Sequence, residues 1–234
     1  LTASHLAVCV ASLQDVKLFN SNLDVVDDAF EYLMSKSQKG EKGQYFTPRY
    51  VIDMCVKMLN PKEDEYMIDT AAGSCGFPVH TMFHVWKQIL DRLGIKQSHL
   101  FSSEKKPPEC EEYVREHVFA IDFDTKAVRV ARTLNLIAGD GRTNVMHLNT
   151  LDYDRWDDFT KDEDWEDIYH DGWKGLRGLR KTRNQNRDFN FDILMANPPF
   201  AGDIKESRII SKYELGKNSK GKYQNKVGRD ILFI

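Results

Sequence analysis

The chain has 234 residues, of which 41% are apolar and 29% are charged, and this composition excludes a disordered chain, a collagen-like repeat and a coiled coil. Its 33 basic and 36 acidic residues give a net charge of −3, so the overall charge does not indicate a nucleic-acid binder, although a local basic face is compatible with it. No apolar run approaches the roughly 20 residues that span a bilayer, so we expect no membrane association.

Cysteine usage and the two ends of the chain give the next expectations. Four cysteines occur without a C-x-x-C spacing: Cys9, Cys55, Cys75 and Cys110. This predicts neither a disulfide framework nor a zinc site, so we expect no bound metal and a reducing, cytoplasmic environment. The first residues lack the basic region of a secretory signal. Because the chain does not begin with methionine and stops within RDILFI, we interpret it as a C-terminally truncated fragment.

The amino-terminal part predicts a short helical segment, residues 1–40. Apolar residues recur at helical spacing over 23–37, and residues 3–18 predict a weaker helix. A polar, glycine-containing loop over 37–44 separates them from the remainder, residues 41–234, which we treat as one domain.

From residue 47 onward, helices and strands alternate. Thr47 and Pro48 are typical of a helix N-cap followed by a proline in the first helical position. We expect a helix over 48–59, a strand over 66–70, a helix over 77–93, a loop over 95–116, a strand over 117–122, a helix over 124–139, and strands over 144–148 and 191–196. This alternation predicts an α/β fold with a mostly parallel sheet and helices on both faces.

Residues 152–190 interrupt the alternation. Their first part is strongly acidic, and six basic residues fall within 174–187. We interpret this charged insertion as a solvated surface loop. A basic strip that contacts a phosphate backbone is the alternative, which the neighbouring acidic residues disfavour.

The turn after the first strand, DTAAGSCGF at 69–77, has the form of a nucleotide-binding crossover but lacks G-x-G-x-x-G. With only Gly73 and Gly76, a pyrophosphate cradle is poorly supported, whereas S-adenosylmethionine, an adenosine cofactor without phosphate, would fit. Asp122 ends the second strand, where an acid can accept hydrogen bonds from ribose hydroxyls. The alternative is a helix N-cap, a role that Asp124 fits better.

The sequence MANPPF, residues 195–200, follows a hydrophobic strand and gives the strongest signal. Two prolines fix a stiff loop at the carboxyl end of a parallel strand, where ligands bind. The Asn197 amide oxygen and the Pro198 carbonyl oxygen are two acceptors suited to an amino group. Phe200 can stack on the planar ring that carries this amino group. An incidental Asn-Pro turn is the alternative.

Together, GQYFTPR, the Asp-x-Ala-x-Gly-x-x-Gly-Phe turn and NPPF resemble the modification subunits of type I restriction-modification systems, which are N6-adenine DNA methyltransferases. The resemblance covers roughly 24–151 and 189–234, with the motifs in the family's order. It implies a Rossmann-like, S-adenosylmethionine-dependent methyltransferase domain over 41–234. It also implies that further strands and the motifs that shape the target-base pocket lie beyond NPPF.

The resemblance assigns roles to residues. The catalytic set would be Asn197, Pro198, Pro199 and Phe200. The cofactor-binding set would be Gln44, Tyr45, Phe46, Thr47, Pro48, Arg49, Asp69, Ala71, Gly73, Ser74, Cys75, Asp122 and Asn149. Two positions depart from the family's pattern: Asn149 stands where an acid usually reads the cofactor adenine, and Cys75 stands where related enzymes often have glycine.

The implied activity is methyl transfer from S-adenosylmethionine to N6 of an adenine flipped out of double-stranded DNA. The implied partners are a specificity subunit, a restriction subunit and a second modification subunit. Two alternatives stay open: an amino-group methyltransferase acting on RNA or on a protein glutamine, and a non-catalytic scaffold fragment. A nicotinamide dehydrogenase is disfavoured by the missing glycine fingerprint.

Overall fold

The structure is a computed structural model, and it describes residues 2–14, 47–102, 106–139, 144–161, 163–182 and 190–233. The helix predicted over 23–37 and the proposed cofactor residues Gln44, Tyr45 and Phe46 lie outside these ranges. The weaker amino-terminal helix is present as α1, Ala3–Leu13. Within the described ranges, no helix is both long enough and apolar enough to cross a membrane.

A four-stranded parallel sheet forms the centre of the fold. Its strands are β1 (Met67–Asp69), β2 (Val118–Asp122), β3 (Val145–His147) and β4 (Ile193–Leu194). The order across the sheet is β3-β2-β1-β4, and every neighbouring pair is parallel. The chain therefore leaves one edge of the sheet after β3 and returns at the other edge as β4. Such a reversal beside β1 opens a crevice at the carboxyl ends of β1 and β4.

Helices connect the strands and pack mainly on one face. They are α2 (Arg49–Leu59), α3 (Gly76–Leu93), α4 (His99–Ser102), α5 (Pro108–His117) and α6 (Thr125–Ala138). Met67 and Val118 of the sheet lie in one buried cluster with Trp86 and Ile89 of α3. Asp124 caps α6 by accepting from the Lys126 N–H at 2.9 Å. The predicted parallel α/β architecture is thus confirmed.

The helix α2 begins differently from the expectation. Pro48 is the N-cap residue, Arg49 is the first helical residue, and no side chain of the described residues caps the helix. The predicted capping role of Thr47 is therefore wrong. Instead, the Thr47 hydroxyl accepts a hydrogen bond from Asn197, 150 residues along the chain.

In its described residues, 152–161, 163–182 and 190, the charged segment 152–190 is not a solvated loop, and the interpretation is corrected for them. It contains α7 (Trp156–Phe159) and the 20-residue helix α8 (Glu163–Thr182). Phe119 and Ile121 of β2 pack in a cluster with Trp173 and Leu176 of α8, while Val118 lies in the α3 cluster. Because side chains alternate between the faces of a strand, α8 covers the second face of the sheet. Where their exposure is described, the charged side chains of α8 lie on its outer face, as in an amphipathic helix.

The segment 95–116 was also predicted as a loop, and this is wrong in part. Here α4 and α5 form, and α5 buries Cys110, Tyr113 and Val114 against α3. The indole N–H of Trp86 donates to the Cys110 carbonyl at 2.8 Å. The glutamates and prolines of the segment concealed this buried face.

The residues after the NPPF loop fold back beside the sheet. They form β5 (Asp203–Ile204), α9 (Ser207–Ile210), a 3-10 turn (Glu214–Gly216), β6 (Val227–Gly228) and α10 (Arg229–Leu232). The strands β5 and β6 pair antiparallel. The helix α10 lies within the last six residues of the sequence, RDILFI.

Candidate functional site

A cavity of about 280 Å³ lies at the carboxyl edge of the sheet. Its walls are the turn after β1, the end of β2, residues 149–151 and the NPPF loop, and α9 and α10 close it from the side. The cavity therefore occupies the crevice that the strand order creates beside β1. The catalytic and cofactor motifs predicted from the sequence meet in this one place.

The turn after β1 is shaped by a tight set of backbone contacts. The Ala72 N–H donates to the Ile121 carbonyl at 2.9 Å, and the Cys75 N–H donates to the Ala72 carbonyl at 2.7 Å. Gly73 has a φ of +53°, and among the described residues other than its two chain neighbours, no atom lies within 4 Å of the position where a Cβ would stand. The turn thus presents open backbone to the cavity, a conformation that glycine adopts without strain.

Asp122 joins the turn after β1 to the turn after β2. Its Oδ2 accepts from the Gly73 N–H at 2.8 Å, and its Oδ1 accepts from the Asp124 N–H at 2.7 Å. A carboxylate offers about four acceptor positions, so these two bonds leave capacity for hydroxyl donors. Burial raises the pKa of this carboxyl despite the two backbone bonds, which lower it.

Asp69 is the most deeply buried acid of the cavity wall, with 1% of its surface exposed. Burial raises the pKa of Asp69 to about 8; the Ala71 N–H, which donates to Oδ1 at 3.0 Å, opposes the rise, and the neighbouring Asp122 adds to it. A buried acid of this kind favours a cationic ligand group, which would restore the charged form.

We expect Asp69 to make stability depend on pH. Its folded-state pKa of about 8 lies above the unfolded value of 3.8, so the folded state binds the extra proton. The corresponding stability is present below about pH 4 and is lost as the pH rises to about 8. Asp69→Asn keeps an acceptor for Ala71 and removes the titration. In urea unfolding, the free energy of unfolding of Asp69→Asn relative to wild type should rise from about pH 4 to about pH 8. A difference that stays constant over this pH range would contradict the raised pKa of Asp69.

The NPPF loop is held by the neighbouring strand β1 and by Thr47, which precedes α2. The Met195 N–H donates to the Ile68 carbonyl at 3.2 Å, which fixes the loop to β1. Asn197 is half-buried in the cavity wall, and its Nδ2 donates to the Thr47 Oγ1 at 3.0 Å. This bond makes Oδ1 the acceptor atom of the Asn197 carboxamide. Pro198 and Pro199 line the same cavity.

Most of the predicted site residues in the described ranges meet at this cavity. Those lining it are Thr47, Asp69, Ala71, Gly73, Ser74, Asp122, Asn149, Asn197, Pro198 and Pro199. The Asn149 Oδ1 accepts from the Leu151 N–H at 3.1 Å, so it caps the 3-10 turn Thr150–Arg155.

Four other predicted site residues, Cys75, Phe200, Pro48 and Arg49, do not line the cavity. Cys75 has a φ of +67° and is fully buried in a cluster with Ala120 and Val128, because its left-handed backbone turns the thiol into the core. Phe200 is 62% exposed beside the cavity. Pro48 and Arg49 begin α2, and of the described part of this motif, residues 47–49, Thr47 alone reaches the cavity wall.

Other lining residues were missed by the sequence reasoning. Phe123 follows Asp122, is 66% exposed and lines the cavity, so it offers a ring face next to the acid. The position of Phe123 at the carboxyl end of a strand could have predicted that it lines the site, because ligands bind at this edge of a parallel sheet. Ile209, Arg229 and Phe233 also line the cavity, but no local pattern predicts that the chain folds back here.

A cluster of ion pairs joins the segment that contains α9 to the residues beside the cavity. Arg208 and Lys212 pair with Asp152, and Lys212 also pairs with Asp154. The hydrogen bond from Arg208 lowers the pKa of Asp152 to about 2. In addition, the Tyr213 hydroxyl donates to the Leu151 carbonyl at 3.0 Å. These contacts keep α9 against the residues that follow Asn149.

Comparisons with known proteins agree with this geometry. Residues 21–234 match the family model described as N-6 DNA Methylase. The type I restriction enzyme StySPI methylase subunit of Salmonella potsdam is 32% identical over 94 residues, which cover 37% of this chain and 18% of that protein. The EcoKI methylase subunit of Escherichia coli K12 is 37% identical over 71 residues, 29% of this chain and 13% of that protein.

Solved structures show the same fold. A modification subunit of a putative type I restriction enzyme from Vibrio vulnificus YJ016 superposes with a TM-score of 0.56 and 19% identity, covering 91% of this chain and 35% of that chain. A chain from a structural study of type I restriction-modification complex assembly gives a TM-score of 0.52 with 20% identity, covering 90% of this chain and 33% of that one.

The chain spans less than a fifth of the length of these two curated relatives. The family model nevertheless covers nearly the whole sequence, and the predicted catalytic and cofactor motifs fall within it. The resemblance predicted from the sequence is confirmed, and the chain belongs to the N-6 DNA methylase family.

Proposed function

We propose that this chain is the catalytic part of a site-specific DNA methyltransferase that transfers a methyl group from S-adenosylmethionine to N6 of a flipped adenine. One observation carries the proposal: Asn197, held by Thr47, and Gly73, held by Asp122, line the same cavity. A methyl donor over the turn after β1 and an amino acceptor at the NPPF loop would therefore be neighbours.

The residues of the cavity fit the cofactor. Asp69 would face its ammonium group, Asp122 would accept from its ribose hydroxyls, and the exposed ring of Phe123 would cover its adenine. Asn149 would read the edge of that adenine, with an Oδ1 that already accepts one backbone hydrogen bond. When bound, S-adenosylmethionine supplies the methyl group of its sulfonium, and a neutral thioether leaves.

The chain's own contribution would be to prepare the nitrogen. The lone pair of an aromatic amine is delocalised into the ring, which makes the amine a poor nucleophile. Asn197 Oδ1 and the Pro198 carbonyl would each accept a hydrogen bond from one of its two N–H groups and favour a more tetrahedral nitrogen. The proton that the nitrogen loses after methyl transfer would pass to water. Catalysis would then come from positioning and preorganised dipoles, without a covalent enzyme intermediate. Phe200, exposed beside the cavity, would stack on the flipped base and return roughly 1–3 kcal/mol of the unstacking cost.

The relatives support a particular biological setting. Because several of them are type I methylase subunits, we propose that the protein acts as the modification subunit of a type I system in the cytoplasm. Its partners would be double-stranded DNA, a specificity subunit, a restriction subunit and a second modification subunit. The specificity subunit would supply the recognition of the DNA site.

The proposal is tested by offering radiolabelled S-adenosylmethionine together with plasmid DNA, RNA and protein in parallel. We expect label only in DNA, and digestion of that DNA should give N6-methyladenine. Label in RNA or in protein glutamine would identify a different amino-group methyltransferase. If calorimetry shows no saturable S-adenosylmethionine binding, the chain is a non-catalytic scaffold instead.

The bond between Thr47 and Asn197 gives a separate prediction. Thr47→Val removes the hydroxyl at nearly constant shape, so the Asn197 carboxamide should lose its fixed orientation. We expect the rate at saturating cofactor to fall about tenfold, a loss of the order of one hydrogen bond to a preorganised group. Thr47→Ser keeps the hydroxyl and should restore most of the rate. An effect on the KM for cofactor alone would show that Thr47 is only a cofactor ligand.

A further inference from the structure

The segment after the NPPF loop differs in charge from the rest of the chain. Residues 203–233 contain eight basic and four acidic side chains, although the whole chain has a net charge of −3. A local excess of positive charge in an acidic protein points to an anionic partner at that place when the charges are accessible and ordered.

Half of these basic side chains already have acidic partners. The ion-paired residues are Arg208, Lys212, Lys217 and Lys226. The other four form no ion pair with a carboxylate in the part of the chain that the structure describes: Lys205, Lys220, Lys222 and Arg229. We call these four residues the basic rim. The three lysines are exposed, and Arg229 is half-buried.

Lys220 and Lys222 stand on an ordered turn. The Asn218 Oδ1 accepts from the Lys220 N–H at 2.9 Å and from the Lys222 N–H at 3.1 Å. The same turn is closed by a bridge between Lys217 and Tyr223, and the Lys217 ammonium lies 5.3 Å from the centre of the Tyr223 ring. The ammonium groups of Lys220 and Lys222 thus stand on a turn whose backbone is already ordered. Binding a partner would therefore not require this backbone to become ordered.

Arg229 connects the basic rim to the cavity. Its N–H donates to the Gly202 carbonyl at 2.9 Å, and its side chain lines the cavity. A Cβ on Gly202, whose φ is +104°, would lie 3.2 Å from the Arg229 Nη2. Gly202 is only two residues beyond Phe200, so the basic segment starts and ends beside the loop that would receive the target base.

We propose that the basic rim binds the phosphate backbone of duplex DNA on either side of the flipped adenine. The inference rests on the proposed function, because it places the nucleotide's backbone where its base enters the cavity. Arg229 would pair with a phosphate at the cavity mouth, since a guanidinium fork matches phosphate oxygens. Lys220 and Lys222 would contact phosphates further along the strand and act as point charges.

The test measures the binding of a fluorescent 20-base-pair duplex by anisotropy as the salt concentration is varied. Each phosphate contact contributes about 0.9 to the slope of log affinity against log salt. We expect Lys220→Gln/Lys222→Gln to lower this slope by roughly 2 and to weaken binding about tenfold or more near 0.1 M salt. Arg229→Gln should lower the slope by about 1.

The matched control removes the same charge elsewhere. Lys62 precedes β1 and Lys96 follows α3, so both exposed lysines lie at the opposite, amino-terminal edge of the sheet. Lys62→Gln/Lys96→Gln should leave the salt slope unchanged. An equal loss in this control, an unchanged slope in Lys220→Gln/Lys222→Gln, a wild type that binds no duplex, or tighter binding of single-stranded RNA would each overturn the basic rim.

Cofactor binding separates this inference from the proposed function. Lys220 and Lys222 do not line the cavity, so we expect their substitution to leave S-adenosylmethionine binding, measured by calorimetry, unchanged. Suppose that the wild type binds cofactor and methylates DNA, but Lys220→Gln/Lys222→Gln keeps the wild-type salt slope. This outcome would overturn the basic rim and leave the proposed function intact. A chain that binds no S-adenosylmethionine overturns the proposed function itself.

Discussion

Asn197→Ala is expected to abolish methyl transfer while S-adenosylmethionine binding stays nearly unchanged. The carboxamide is the side-chain acceptor that would hold the target amine, and Thr47 fixes its orientation at 3.0 Å. Removing one preorganised polar group that stabilises a transition state costs about 100- to 1,000-fold in rate. We therefore expect a loss of at least this size in single-turnover transfer, measured with radiolabelled cofactor.

Two measurements isolate this effect. Calorimetry should give nearly the same affinity for S-adenosylmethionine in Asn197→Ala and in wild type, because the turn after β1 and Asp122 are unchanged. Asn225→Ala, at an exposed asparagine outside the cavity lining, is the matched substitution and should retain the wild-type rate. Transfer by Asn197→Ala at the normal rate would rule out the mechanism.

Trp173→Ala should give the second large effect, a loss of about 3–5 kcal/mol in the free energy of unfolding. Trp173 is 4% exposed and packs its ring 5.8 Å from Trp165 and 6.5 Å from Trp156, between α8 and the sheet. Truncation leaves a cavity in the layer that covers the second face of the sheet. Urea unfolding followed by circular dichroism measures the loss.

The neighbouring residue supplies the control. Lys174 is exposed on the same helix, so Lys174→Ala should change the free energy of unfolding by no more than about 0.5 kcal/mol. If Trp173→Ala proves as mild as Lys174→Ala, then α8 is not part of the core, and the surface-loop interpretation of 152–190 would regain support.

The sequence predicted the elements whose signals are local. Asp124 and Gly139 bound α6 as expected, and the apolar strands pair in a parallel sheet. Elements whose helical periodicity is concealed by charged residues could not be predicted. In α8, Trp173 and Leu176 face the sheet, but acidic and basic runs around them dominate the composition. Composition averages both faces of a helix, so an amphipathic helix with a highly charged outer face resembles a loop.

The site residues that belong to short sequence motifs could be predicted. Contacts between segments that are far apart in the sequence could not. Asp69, Asp122 and Asn197 line one cavity, as the motif order implied. The pairing of Thr47 with Asn197 spans 150 residues, and local capping rules gave Thr47 a different role. Cys75 was placed in the site by its motif, yet its left-handed backbone turns the thiol into the core. Backbone conformation at that position is not encoded in the motif's letters.

The central claim is that the cofactor and the target amine meet between the turn after β1 and the NPPF loop. A crystal structure of the chain soaked with S-adenosylmethionine tests it most directly. We predict density for the ribose at Asp122, and for the sulfonium methyl directed at the Asn197 Oδ1 side of the cavity. Density at another surface, or a methionine end that points away from Asn197, would contradict this account.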